Sequence, residues 1–192
     1  TSLSSNNYAI HLNMISGDKS LLDPKIRQVI NQSIDQEMLL NLSMLGEGSL
    51  SPTLISPNFT GIKEAINMNA DFYKKDGKYD PKKISKLRNI VKEYQKSKGL
   101  DPETPLKLSF LTQEQFLFLI RDVKFFLAQV GIDLQLDVVK AERIVFAELL
   151  NTASHKNKKP WDMLIWGNFD WFKHPWSSFL VYRVGDNWST IN

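Results

Sequence analysis

The sequence predicts an α/β domain, a mixed β-sheet with flanking helices. Segments 8–14, 106–111 and 132–138 alternate apolar and polar residues, and 163–166 is a short apolar run; all four read as strands. Between them lie stretches with apolar residues at helical spacing. The order strand, helix, strand, helix, strand from 106 to 166 demands crossover connections, and hence a sheet that is at least partly parallel.

Each element has a local reason. In 8–14, Tyr8, Ile10, Leu12 and Met14 fall on one face, and Ala9, His11 and Asn13 on the other. His11 reads as a structural histidine rather than a ligand. Asp23 and Pro24 open a helix as N-cap and first residue, expected over 24–44, with Ile26, Val29, Ile30, Ile34, Met38 and Leu42 as its apolar stripe. Segment 46–59 is rich in Gly, Ser and Pro and reads as a long loop. Segment 61–73 fits either a short helix or a surface cover. Asp80 and Pro81 repeat the cap, and the helix expected over 81–98 buries Ile84, Leu87, Ile90, Val91 and Tyr94 while its lysines face solvent. Segment 113–130 is the strongest helix, stopped by Gly131. A further helix is expected over 141–151.

Segment 160–175 organises the chain. All five tryptophans lie from Trp161 onward. The run 163–166 reads as a buried strand ended by Gly167, followed by a polar loop with Asn168, Phe169, Asp170, Trp171 and Phe172. A strand ending in a glycine and an aromatic, acidic loop suits a binding edge; core filling is the competing role for the tryptophans.

With 192 residues, 42% hydrophobic and 23% charged, the chain is ordinary for a globular protein. A net charge of +3 is too small to argue for nucleic acid. Cysteine is absent, which excludes disulfides, thiolate metal sites and a cysteine nucleophile. His11, His155 and His174 lack metal-ligand spacing, so no metal and no cofactor is expected. Neither a phosphate-binding glycine loop nor a nucleophile elbow occurs. The one acid–base pair on offer is Asp162 with Asp170, the basis of a hydrolase alternative; a binding protein, not an enzyme, is the expectation.

Several segments in order resemble the C-terminal lobe of the family 5 extracellular solute-binding proteins, the oligopeptide, dipeptide and nickel receptors of ABC importers. Asn13 ends a strand as in the family's Tyr/Phe-x-Asn segment. Asp23-Pro24-Lys25-Ile26-Arg27 with Ser33-Ile34-Asp35-Gln36-Glu37 is similar to its signature helix, and Tyr79-Asp80-Pro81 to its Tyr-Asp-Pro helix. Gly131-Ile132, closing one helix and opening a strand, and Asp162-Met163 through Gly167, Asp170 and Pro175 look like later family segments.

The resemblance implies one lobe of a two-lobe periplasmic binding protein type II fold, with residues 1–192 forming part of the C-terminal lobe. It implies a peptide held between two lobes, largely by main-chain hydrogen bonds to the edge of the strand before Gly167. A nickel chelate or a sugar is the alternative ligand. The site residues it implies are Trp166, Gly167, Asn168, Phe169, Asp170 and Trp171. Family peptide binders place an aspartate here against the ligand's ammonium; the register puts Trp171 at that position and Asp170 one residue before it. The implied partners are a peptide and ABC permease subunits, with the receptor monomeric, and periplasmic or cell-surface. Membrane contact would come only through a lipid anchor outside this fragment.

Overall fold

The computed structural model describes residues 7–51, 80–156, 158, 161–168, 183–184 and 189–191. Among them the elements run β1 (Asn7–Leu12), a 3-10 turn (Lys19–Leu22), α1 (Pro24–Ser33), α2 (Gln36–Leu42) and α3 (Pro81–Ser97). There follow β2 (Leu106–Gln113), a 3-10 turn (Glu114–Phe116), α4 (Leu117–Gln129), β3 (Ile132–Val139), α5 (Glu142–Asn151) and β4 (Met163–Asn168). The α/β class with a mixed sheet and flanking helices is as expected. Segments 52–79 and 169–182, including the ambiguous stretch 61–73 and most of the 46–59 loop, lie outside the described residues.

The strand order is β1-β4-β2-β3. β2 runs parallel to β3 and to β4, while β1 is antiparallel to β4. The crossover from β2 to β3 moves one way across the sheet, and that from β3 to β4 moves back past β2. Right-handed connections then place α4 and α5 on opposite faces.

The burial follows this geometry. Ile10, Leu12, Phe110, Ile132, Leu134, Met163 and Ile165 pack toward α1, α3 and α4, whose buried stripes include Ile26, Val29, Leu87, Val91, Val123 and Leu127. Leu111, Val139, Leu164 and Trp166 instead meet Val145 and Leu149 of α5, together with Trp161. Successive residues of β4 therefore alternate between two cores, as a buried strand's must.

The caps act as expected at the helix starts. The Asp23 carboxylate accepts from Lys25 N at 2.8 Å, and that of Asp80 from Lys82 N at 2.9 Å. Gly131, just past α4, has φ +84°, a backbone conformation that costs glycine little.

Three expectations are corrected. The helix over 24–44 is two helices: Ile34 is extended at φ −80° and ψ 113°, and Asp35 starts α2 by accepting from Met38 N at 2.9 Å. A local carboxylate cap outcompetes continuation of the ladder. The axis change rotates Met38 and Leu42 out of the core, to 41% and 59% exposure. With Leu39, Asp122, Phe125 and Phe126 they line a groove of about 160 Å³. Next, the helix expected from 113 begins later, because Gln113 is still paired with Val139 in the sheet. Finally, β4 does not end at Gly167: Gly167 pairs with Tyr8, and Asn168 with Asn7.

Candidate ligand-binding site

β4 is anchored at its start. The Asp162 carboxylate accepts from Asp18 N at 2.6 Å through Oδ1, and from Ser109 N at 2.6 Å and Ser109 Oγ at 2.8 Å through Oδ2. Its own carbonyl accepts from Asn13 N at 2.8 Å. Asn13 completes the knot: Nδ2 donates to Trp161 O at 2.9 Å, and Oδ1 accepts from Ser16 N at 2.9 Å and Ile15 N at 3.2 Å. One aspartate and one asparagine thus join the end of β1, the turn after it, β2 and the start of β4. A carboxylate holding three donors is a structural acceptor. Its suggested acid–base partner, Asp170, lies outside the described residues.

Gly17 lies inside this knot. A Cβ there would sit 2.4 Å from Asn13 O and 3.2 Å from Asp162 Oδ1. His11, on the β1 face opposite Ile10, is 1% exposed, and burial pushes its pKa down to about 4, so the ring is neutral near pH 7.

At the other end of β4 the sheet forks. β2 stays paired with β3 as far as Gln113 with Val139, but its pairing with β4 stops at Leu111 with Leu164. β4 continues beside β1 to Asn168. The bond from Asn13 N to Asp162 O sets which backbone groups face which way. Counting along the strand from it, Leu164, Trp166 and Asn168 turn N–H and C=O toward β1, and Met163, Ile165 and Gly167 turn theirs to the opposite edge. β2 serves that edge at its start and has left it by Gly167. On that edge Gly167 has no strand partner among the described residues. β4 lies between β1 and β2 in the sheet. At its C-terminal end, where the parallel strands β2, β3 and β4 finish, the edge past the Leu111–Leu164 pair has no strand partner among the described residues. Ligands of α/β sheets collect outside the carboxyl ends of strands.

The implied site residues fall out unevenly. Trp166 is 8% exposed and its ring stacks on Phe146 of α5, with centroids 5.2 Å apart and planes at 23°. Trp161 is 1% exposed. Both tryptophans pack in the second core. Gly167 is buried in β4, and Asn168 is placed by its backbone pairing with Asn7. Phe169, Asp170 and Trp171 lie outside the described residues.

Sequence reasoning does not single out two features at the fork. Tyr8, paired with Gly167, meets Phe116 edge-to-face, with centroids 5.1 Å apart and planes at 61°. Gln113, 4% exposed, accepts at Oε1 from Gln115 Nε2 at 2.6 Å. Among the described residues no group of histidine or acidic side chains could hold a metal ion, and no helix is long and apolar enough to cross a membrane.

No family model and no curated protein matches the chain. Solved structures do. An oligopeptide ABC transporter substrate-binding domain from Bacillus anthracis aligns with a TM-score of 0.70 at 17% identity, covering 98% of this chain and 35% of that one. The periplasmic binding protein DppA from Helicobacter pylori, in complex with the peptide STSA, aligns at 0.65 and 18% identity, covering 96% and 32%. NikA from Brucella suis, in complex with Fe(III)-EDTA, aligns at 0.63 and 16% identity, covering 94% and 34%. The chain therefore spans about a third of the length of each (35%, 32% and 34%). These neighbours are family 5 solute-binding proteins, the family that the sequence resembles. The chain has the fold of a piece of a periplasmic binding protein of the two-lobe type II class.

Proposed function

We propose that this chain is part of the C-terminal lobe of an ABC importer's solute receptor, and that the receptor closes two lobes around an extended peptide. The observation that carries this reading is the fork of the sheet at Gly167, where β4 still pairs with β1 but has no partner on its other edge among the described residues. A peptide main chain satisfies such an edge as an added strand. That mode is indifferent to side-chain identity and needs no catalyst. A metal chelate or a sugar lacks the repeating donors and acceptors that the edge calls for, so the edge favours a peptide. On this reading the protein works outside the cytoplasmic membrane, held there by a lipid anchor beyond these 192 residues. As a monomer it hands its ligand to permease subunits when lobe closure marks the loaded state.

Gly167, Asn168, Phe169, Asp170 and Trp171 carry the chain from the end of β4 into the interlobe cleft, with Trp166 at its edge, and Asp170 pairs with the ligand's α-ammonium. The test uses full-length protein, since the second lobe supplies the remaining contacts. Tetrapeptides with free and with acetylated amino termini are titrated by calorimetry into wild type and Asp170→Asn. The substitution is expected to weaken free-amine peptides by about 1.5 to 3 kcal/mol, the worth of a charge-assisted hydrogen bond, and to leave acetylated ones unchanged. Equal loss for both removes Asp170 from that role. A wild-type protein that binds no peptide overturns the peptide reading.

A further inference from the structure

The Tyr8–Phe116 contact has an unusual path. Tyr8 lies on β1 and Phe116 follows β2, yet β4 separates those strands in the sheet. Tyr8, one half of the ring pair, is the β1 residue paired with Gly167 of β4. On this face β4 contributes hydrogen alone at Gly167, so the aromatic pair can reach across it. The edge-to-face geometry fixes both rings. Tyr8 is nevertheless 47% exposed, which leaves part of its surface available for contact.

A strand added along the β4 edge at Gly167 alternates its side chains between the two faces of the sheet. The ligand residue beside Gly167 directs its side chain to the face of Tyr8 and Phe116. Its neighbours direct theirs to the opposite face, that of Trp166. Resting on the peptide reading above, we infer that Tyr8 and Phe116 form the wall of a side-chain pocket at Gly167 and select an apolar side chain at that one ligand position. Gly167 is the floor that makes the pocket possible. The selection arises because an aromatic wall rewards apolar contact, and a charged side chain held against it loses water without gaining a partner.

The test is a positional-scanning tetrapeptide library with free amino termini, bound to full-length wild type, Tyr8→Gln and Phe116→Gln. Glutamine replaces each ring with a side chain that offers donors and an acceptor to a polar ligand group, and circular dichroism with a thermal melt checks that each variant is folded. Wild type is expected to prefer aromatic or large aliphatic residues over Asp and Lys by about tenfold at one ligand position. Both variants are expected to flatten that preference, read within each variant as the ratio of affinities for apolar and for charged residues at that position. A preference that both folded variants retain overturns the inference and leaves the peptide reading standing. A wild-type protein that binds none of the library overturns both.

Discussion

Replacing Asp162 by alanine is expected to lower the stability of the chain by about 3 kcal/mol. The carboxylate accepts three hydrogen bonds, from Asp18 N, Ser109 N and Ser109 Oγ, at 2.6, 2.6 and 2.8 Å. Alanine leaves these donors without their acceptor, and an unmet donor costs more than the bond itself contributes. Asp162→Asn separates charge from shape. The amide still accepts through its oxygen but turns an NH2 toward one of the donors, so about half of the loss is expected to remain. Urea unfolding followed by circular dichroism measures both. A loss below about 0.5 kcal/mol for the alanine variant, as for an ordinary surface site, would show that the knot does not hold β4.

Gly17→Ala is expected to cost about 2 to 3 kcal/mol, the range for a side chain forced into filled space. Its Cβ would lie 2.4 Å from a main-chain oxygen, Asn13 O, and that oxygen belongs to the residue that ties Trp161 O and Ser16 N together. Backbone so held cannot yield without breaking those bonds. Gly99→Ala is the control. Gly99 has φ +70°, but nothing lies within 4 Å of where its Cβ would stand, so only backbone strain of about 1 kcal/mol is expected there. If both substitutions cost the same, close approach is not what requires glycine at position 17.

Legibility in the sequence follows the range of the physics. Asp23-Pro24, Asp80-Pro81 and Gly131 act on their own helices, and each marks a boundary that the fold keeps. The break at Ile34 is hidden although Asp35 is a good cap, because the apolar spacing runs through it to Leu42 and masks the stop. Asp162 reads as an acid candidate because its partners are remote: Asp18 is 144 residues away and Ser109 is 53. Composition cannot separate packing tryptophans from ligand-facing ones; Trp161 and Trp166 pack because β4 is flanked by α5. The Tyr8–Phe116 contact depends on strand order, which no local pattern encodes. The same holds for the fork at the end of β4.

The proposed function rests on a peptide adding to β4 at Gly167. Amide hydrogen exchange in the full-length protein, with and without a saturating tetrapeptide, reads that edge directly. Only alternate amides of a strand point to one edge. Slower exchange is expected at the Gly167 amide when peptide is bound, while the amides of Trp166 and Asn168, which face β1, change little. A bound peptide that leaves the Gly167 amide exchanging at its ligand-free rate would contradict it.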